Sequence, residues 1–314
     1  MSADQETSEQ QSPSRRWLVT IGVVLVVGVL LLMPVKYPGR ILGVVFDFAH
    51  VPVFAVFVYV LIRLVCGREP SWKVATAIAV VAAGFGLGGE FLQRFVGRSG
   101  DWGDAASNAI GAAIGFTVGT WRKWRRGPLL VAGLVLASGV FAVYFNPVRT
   151  LTDLFRQQTE LPLLASFENE LELSRWRCGL SKLSRSTEHV SDGRFSLRWE
   201  LNPGLYPQCT LHWPVNDWTP YRALEFDVWN DADEPLEIIT KIEDFRHNNT
   251  HRDRFHQTVS VPKGKTTVRV DLKAVQDAPA DRKMDMALIT RLTLFTIDLR
   301  KQRVLHIDRL QLIK

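Results

Sequence analysis

The feature that most constrains this chain is a series of five long apolar segments within its first half. A helix needs roughly 20 residues to cross the hydrocarbon core of a bilayer, with about 17–25 tolerated. Five such segments leave almost no polar surface for a soluble helical domain, so we expect five membrane-spanning helices. The segments are Trp17–Met33, Ile41–Ile62, Val74–Phe95, Ala105–Trp121 and Leu129–Phe145.

The net charge of +6 is distributed unevenly along the chain. Residues 1–156 hold 15 Lys and Arg against 9 Asp and Glu, whereas the remaining residues hold 23 of each. A nucleic-acid-binding domain concentrates positive charge on a polar surface. Here the excess lies in the apolar half, so the composition argues against a nucleic-acid partner and for the lipid bilayer.

Lys and Arg in the short loops set the orientation of a membrane protein, because the richer side stays cytoplasmic. Nine of these residues flank one side of the predicted bundle and five flank the other. We therefore predict a multi-pass protein of the cell (inner) membrane, with residues 1–14 as a disordered cytoplasmic tail. Five helices then place the C-terminal half outside the cytoplasm. The nine residues are Arg15, Arg16, Arg63, Arg68, Lys73, Arg122, Lys123, Arg125 and Arg126.

Polar residues within the apolar segments form one predicted group near the outer face. Ionisable groups at membrane depth are costly, so each is a functional candidate. Helical spacing puts several of them on shared faces. Farther along the fourth segment, Gly111 and Gly115 have the spacing of a close helix contact. The candidate ligand-binding residues are Asp47, His50, Glu90, Gln93, Arg98, Asp101, Asp104 and Asn108.

These same residues carry a family resemblance over roughly residues 15–145. Glu90-x-x-Gln93, the Arg98-Ser loop, Asp104-x-x-x-Asn108 and the two glycines resemble the signature of the VanZ-like membrane family, as does Asp47-x-x-His50. That family is named for a protein linked to teicoplanin resistance. The resemblance implies a role in glycopeptide resistance or envelope maintenance, and it implies no particular reaction.

Three interpretations of the polar group stay open at this point. The residues can form a structural network that locks the helices together. They can bind a lipid head group, a glycan-lipid precursor or an amphiphilic antibiotic, with Arg98 holding phosphate or carboxylate. They can also catalyse a reaction, with His50 or Glu90 as general base. No nucleophile, phosphate loop or metal motif supports catalysis, and the catalytic residues are unknown.

After a connector at residues 147–162, the hydrophobic pattern changes to a period of two. Short alternating segments separated by turn residues predict an all-β antiparallel sandwich or jelly roll at residues 163–314, following the helical membrane bundle at residues 15–146. The predicted strands are Leu163–Phe167, Phe195–Leu201, Cys209–Trp213, Ala223–Trp229, Leu236–Glu243, Phe255–Val261, Thr266–Leu272, Arg291–Ile297 and Val304–Leu312.

The order of motifs in this half resembles the carbohydrate-binding jelly rolls of the galactose-binding-like superfamily. The resemblance rests on an opening Phe167-Glu168-Asn169, a closing Ile307-Asp308 and core strands between them. Such domains often hold a structural calcium near the chain ends, which makes Glu168 and Asp308 the positions implied for Ca²⁺. No other cofactor is implied.

Sugar binding needs exposed aromatic rings beside hydrogen-bonding groups. Tyr206, Trp218 and Tyr221 lie in loop-like stretches and are the candidate sugar contacts, although core packing is the favoured interpretation for each.

Cysteine and histidine residues add two further expectations. Cys178 and Cys209 are a candidate disulfide pair in an exported domain, with two separate buried thiols as the alternative. Cys66 is expected to be a free thiol. The spacing of His247 and His251 suggests a metal site, but no carboxylate pattern completes one, so we expect a solvated loop.

Taken together, the residues predict a cell-envelope protein that binds a lipid-linked, glycan or glycopeptide ligand, and they favour a binding protein over an enzyme without deciding between the two. One alternative is a membrane enzyme acting on a lipid-linked precursor. The other is a structural anchor for the sandwich.

Overall fold

The structure, a computed structural model, describes residues 13–32, 39–67, 69–93, 102–124 and 126–314. The predicted tail lies outside these ranges except for Pro13 and Ser14, which begin the first helix. The chain divides into two compact units, Met1–Val148 and Arg149–Lys314. The helices are α1 (Pro13–Leu32), α2 (Gly39–Cys66), α3 (Trp72–Gln93), α4 (Trp102–Thr120), α5 (Arg126–Thr159) and α6 (Leu272–Asp277).

The described residues of the five apolar segments lie in α1 to α5 in order, except Trp121, which begins a short 3-10 helix directly after α4. Among the described residues, three helices are long and apolar enough to cross a membrane: α2, α3 and α5. In α1 the apolar stretch is shorter, Trp17–Val29. Spanning by α1 and α4, and with it the count of five, stays a prediction.

The first unit is organised around the contact between α2 and α4. A Cβ atom added at Gly111 would lie 2.8 Å from the Cβ of Phe54 and would collide with the carbonyl oxygen of Val51. One added at Gly115 would lie 2.9 Å from the Cβ of Val58. The two glycines therefore let the helix backbones approach closely, in the small-residue packing typical of membrane helices.

Helix α5 continues past the predicted end of the fifth apolar segment. It runs through Pro147 to Thr159, so most of the predicted connector is helical. Asp153 and Gln157, near its C-terminal end, are buried within the second unit. Gln157 Nε2 donates a hydrogen bond to the carbonyl oxygen of Trp213 at 3.2 Å. The end of α5 is thus a packed part of the second unit.

The second unit is a two-sheet antiparallel sandwich. The strands are β1 (Leu163–Ala165), β2 (Trp176–Gly179), β3 (Ser181–Ser186), β4 (Ser196–Leu201), β5 (Gln208–His212), β6 (Ala223–Asn230), β7 (Leu236–Asp244), β8 (Phe255–Val261), β9 (Gly264–Asp271), β10 (Ile289–Phe295) and β11 (Arg303–Ile313). One sheet has the order β3-β4-β11-β6-β9, with β1 pairing to β11, and the other has the order β2-β5-β10-β7-β8.

Alternation along the strands builds the core between the two sheets. Leu197, Trp199 and Leu201 of β4 enter one hydrophobic cluster together with Leu292 and Leu294 of β10. The intervening residues face away from this core, because successive side chains of a strand point to opposite faces. The sandwich therefore offers two outer faces on which polar side chains are held at fixed positions.

Candidate functional site

Three helices of the first unit bring part of the predicted polar group together. The Nδ1 atom of His50, on α2, donates a hydrogen bond to Oδ1 of Asn108, on α4, at 2.8 Å. The Nε2 atom of the same ring lies 3.7 Å from Oδ1 of Asp104. Because an amide oxygen only accepts, the Nδ1–H is fixed by Asn108, and Nε2 is the atom that faces the carboxylate.

Glu90 of α3 completes this arrangement, which we name the bundle cluster: His50, Glu90, Asp104 and Asn108. One ligand atom from each of His50, Glu90 and Asp104 lies within 4.8 Å of the others. Glu90 and Asn108 are buried. Within the described residues, Nδ2 of Asn108 has no hydrogen-bond partner. An imidazole and two carboxylates at this spacing can bind a cation, hold a hydroxylated head group or accept a proton.

Of the other predicted members of the group, two lie on helices α2 and α3 and two lie outside the described residues. Asp47 is half-buried on α2, one turn before His50, and Gln93 is the last residue of α3. Arg98 and Asp101 lie outside the described residues. Their roles remain predictions.

A second candidate site follows from the strand register of the β2-β5-β10-β7-β8 sheet. On its outer face Arg291 lies opposite His212 on one side and Glu243 on the other. Two residues farther along β10, Thr293 lies opposite Thr210 on one side and Lys241 on the other. We name this surface the polar face: Thr210, His212, Lys241, Glu243, Arg291 and Thr293.

Glu243 organises the charges of the polar face. Its side chain is only 2% exposed, and its Oε1 atom lies 3.0 Å from Nζ of Lys241 and 3.1 Å from Nε2 of His247. Its Oε2 atom lies 3.5 Å from Nη1 of Arg291. A buried carboxylate with three basic partners holds their side chains in place more firmly than an exposed ion pair does. His247, expected in a solvated loop, is therefore an anchored part of this arrangement.

Neutral hydrogen-bonding groups lie between these charges. The hydroxyl groups of Thr210 and Thr293 are hydrogen-bonded to each other at 2.9 Å. Burial, together with the positive charges of Arg291 and Arg177, lowers the pKa of His212 to about 4. The His212 imidazole is therefore neutral at pH 7 and can donate one hydrogen bond and accept another.

Aromatic rings border the polar face where β10 ends. Tyr206 is 50% exposed and its ring packs edge-on against Phe295, with ring centroids 6.5 Å apart. Trp218, a candidate sugar contact, is instead part of the core: its side chain is fully buried and its indole N–H donates to the carbonyl oxygen of Val215 at 2.7 Å. Tyr221 is partly buried and packs against the core. Of the three predicted rings, Tyr206 is the one placed for stacking.

The two positions predicted for calcium both anchor one loop. Oε1 of Glu168 accepts hydrogen bonds from the backbone N–H groups of Arg194 and Phe195. Oδ2 of Asp308 accepts from those of Ser191 and Asp192. Burial raises the pKa of Asp308 above its usual value. The geometry gives both carboxylates a role as hydrogen-bond acceptors, and calcium binding by them stays a prediction.

The cysteines are placed as follows. Cys178 of β2 lies opposite Cys209 of β5 and the two form a disulfide bond. Cys66, at the end of α2, is a free thiol. The disulfide ties the edge strand β2 to its neighbour, on the same sheet as the polar face.

The chain thus combines a bundle of apolar helices with an antiparallel β-sandwich that carries a polar outer face. No family model matches it, so the VanZ-like assignment stays a resemblance. A search of curated proteins also gives no match.

Solved structures offer distant likenesses to part of the chain. It is similar to a family 11 carbohydrate-binding module from Clostridium thermocellum in complex with a β-1,3-1,4-mixed-linked tetrasaccharide, with 15% identity over 48% of this chain and 94% of that chain and a TM-score of 0.39. It is similar to an exo-β-agarase, with 15% identity over 48% of this chain and 24% of that chain and a TM-score of 0.40. The chain thus spans about a quarter of the agarase. These TM-scores are too low to carry an argument about function.

Proposed function

We propose that this protein is a multi-pass cell-envelope protein whose sandwich binds a glycan on the polar face. The observation that carries the proposal is the arrangement of His212, Arg291 and Glu243 in one row across three strands, with Thr210, Thr293 and Lys241 in the next row. Neighbouring side chains within a row lie about 5 Å apart, and the two rows lie about 7 Å apart along the strands, so the face can contact several hydroxyl groups of one saccharide at once.

Fixed hydrogen-bond geometry is what distinguishes a binding face from an ordinary polar surface. Sugar hydroxyls are recognised by charged and amphoteric side chains that are already oriented, because ordering free side chains lowers affinity. Glu243 supplies this order by holding Lys241 and Arg291 from a buried position. The ring of Tyr206 then offers an apolar surface for the C–H groups of a sugar.

The charge of the face favours acidic saccharides over neutral ones. Arg177 lies opposite Thr210 and extends the second row, so that three cations stand against the carboxylate of Glu243. Charge-assisted hydrogen bonds from Arg to a carboxylate or phosphate are roughly twice as strong as neutral ones. We therefore expect an envelope glycan with acidic groups to bind best.

Membrane insertion and orientation are part of the same proposal. None of the side chains in the most apolar part of α5 is buried, and α2 and α3 are also long and apolar enough to span. The loop charges favour a cytoplasmic N-terminus and an extracytoplasmic sandwich. With this orientation, the glycan-binding face lies in the same compartment as the envelope glycans.

A second role, supported by the bundle cluster, is binding the polar head of a lipid-linked ligand. Among the described residues nothing pairs with the buried amide nitrogen of Asn108, next to His50 and two carboxylates, and such an atom is costly in a purely structural network. A head group with hydroxyl acceptors would satisfy that nitrogen. The enzyme alternative uses Nε2 of His50 as general base, and the anchor alternative gives the cluster no ligand.

The glycan proposal is tested on an array of neutral and acidic envelope saccharides with full-length protein in nanodiscs. Arg291→Ala should lose most of the binding, because it removes the central cation of the first row, whose position Glu243 fixes. Arg269→Ala is the matched control, since Arg269 is an exposed arginine that pairs with Glu225 on the other sheet. If Arg291→Ala binds the saccharides as well as wild type does, the polar face is not the glycan-binding site.

The bundle cluster is tested by near-isosteric changes. Glu90→Gln and Asp104→Asn should reduce the amount of lipid that copurifies with the full-length protein, as measured by mass spectrometry. Unchanged lipid content in correctly inserted variants would leave the cluster as a structural network. Conversion of the copurified lipid by the wild type, lost in both variants, would favour the enzyme alternative.

A further inference from the structure

The opposite outer face of the sandwich carries a group of histidines and acids that the glycan-binding face does not use. His306 lies on β11, opposite Trp229 of β6 and Arg198 of β4. His189 lies in the loop between β3 and β4, and Asp231 directly follows β6. Three separate parts of the chain are thus brought to one point on the β3-β4-β11-β6-β9 sheet.

The distances within this group are those of potential ligands. Nε2 of His189 lies 2.9 and 3.0 Å from the two carboxylate oxygens of Asp231. The two imidazole rings have centroids 4.8 Å apart. One ligand atom from each of His189, Asp231 and His306 lies within 4.8 Å of the others. Glu188 adds a second carboxylate to the group, and its Oε2 atom lies 3.5 Å from Nε2 of His306.

The buried ring nitrogens of His306 are independent evidence for a ligand at this site. Its side chain is only 2% exposed, and within the described residues neither ring nitrogen has a hydrogen-bond partner. A buried polar atom without a partner costs about 1–3 kcal/mol, so such atoms are rare in folded proteins and call for an explanation. A bound cation is the partner that an imidazole nitrogen facing carboxylates accepts most readily.

We propose that His189, Asp231 and His306 bind a divalent transition metal of the zinc type, with Glu188 as the fourth ligand. Imidazole nitrogen together with carboxylate oxygen is a donor set that Zn²⁺ prefers, whereas Ca²⁺ and Mg²⁺ prefer oxygen alone. Tetrahedral coordination by four ligands is the usual geometry for such a structural site.

The surroundings tolerate the added positive charge. Arg198 forms an ion pair with Glu200, and Nζ of Lys265 lies 3.1 Å from Asp227, so the nearest cations are already neutralised. The ring of Trp229 packs against His189 with centroids 5.9 Å apart and covers one side of the group. The metal would tie the β3–β4 loop to the central strand β11.

The test compares metal binding by full-length wild type, His189→Gln and Asp231→Asn after removal of metal with a chelator. Zn²⁺ content is measured by equilibrium dialysis, and the visible absorption of added Co²⁺ reports tetrahedral coordination. We expect wild type to bind one more ion per chain than either variant, or each variant to bind it at least about tenfold more weakly. Any ion held by the bundle cluster binds all three proteins alike and cancels in the difference.

Two controls keep the result interpretable. His256→Gln removes another histidine of the sandwich, one that packs against His251 with ring centroids 4.3 Å apart, and it should leave binding unchanged. Zn²⁺ should raise the melting temperature of wild type and His256→Gln but not that of His189→Gln. Equal Zn²⁺ binding by wild type, His189→Gln and Asp231→Asn would overturn the proposal and leave an ion pair between His189 and Asp231.

Discussion

The guanidinium group of Arg175 meets the carboxylate of Asp153 in a buried, two-point contact. Nη2 and Nε of Arg175 lie 2.8 and 3.0 Å from Oδ1 of Asp153, and both side chains are shielded from solvent. Nη1 donates a further hydrogen bond to the carbonyl oxygen of Leu164 at 3.0 Å. The end of α5 is thereby fixed to the first strand and the adjoining turn of the second unit.

Removing one partner of this pair should destabilise the sandwich strongly. Asp153→Leu leaves the Arg175 cation buried without its main partner, and such changes cost about 3–5 kcal/mol. Urea unfolding of the full-length protein, followed by tryptophan fluorescence, measures the loss. Asp277→Asn is the control, because it breaks only exposed pairs, with Lys273 and Lys283, and should change the stability far less. Equal losses in the two variants would show that the buried pair is no anchor.

The close contact between α2 and α4 gives a second prediction. Gly115→Ala adds a methyl group that collides with the carbonyl oxygen of Ala55, and we expect a loss of about 1–3 kcal/mol in the stability of the bundle. Gly84→Ala is the matched control, since within the described residues nothing lies within 4 Å of the added atom. Thermal unfolding in detergent measures both variants. A Gly115→Ala protein as stable as Gly84→Ala would contradict the observed packing.

The glycine contact and much of the bundle cluster follow from local sequence patterns. His50 sits in the predicted middle of an apolar segment, and Asp104 and Asn108 are four residues apart on one helix. Spacing of three or four residues fixes a shared helix face, so a pattern within one helix predicts position. Which helices then meet is a tertiary property, and the common depth of these residues near the predicted outer face indicates it only coarsely.

The strands were predicted where alternation was strong, and missed where it was not. Nine predicted strands correspond to β1 and to β4–β11. The two strands that the sequence did not indicate are β2 and the Ser-rich β3, which lie at the edges of their sheets. An edge strand buries little, so its residues are under weak pressure to alternate.

The polar face lay beyond what the sequence could show. Thr210 and Thr293 are hydrogen-bonded although 83 residues separate them along the chain. Only the strand register brings them together, and register cannot be read from single strands. Trp218 shows the same limit for a single side chain, because its loop-like stretch is compatible with exposure although the fold buries the ring in the core.

A pH dependence follows from His212. Its pKa is lowered from 6.5 to about 4 in the folded protein, chiefly by burial. Between these values the unfolded chain binds more protons at this site than the folded chain does, so the His212 contribution to stability is lost as pH falls and present above about pH 6.5. The unfolding free energy of wild type minus that of His212→Asn should therefore rise with pH across this window. A difference that does not vary with pH would contradict the account.

The orientation in the membrane is tested with single cysteines placed in a Cys66→Ser background, with the native disulfide left intact. Lys263→Cys, on an exposed position of the sandwich, should react with a membrane-impermeant maleimide in spheroplasts. Lys73→Cys, in the first turn of α3 at its predicted cytoplasmic end, should react only after lysis. Labelling of Lys73→Cys in intact spheroplasts would reverse the proposed topology.

Glycan binding by the polar face is the central claim, and calorimetric titration of full-length protein in nanodiscs with an acidic envelope oligosaccharide tests it most directly. Glu243→Gln keeps the shape of the side chain but removes the charge that orients Lys241 and Arg291, and Tyr206→Ala removes the stacking ring. We predict that wild type and Arg269→Ala bind with the same affinity, while Glu243→Gln and Tyr206→Ala each bind at least about tenfold more weakly. Absence of binding by wild type to any envelope saccharide, or equal affinity in all four proteins, would contradict the account.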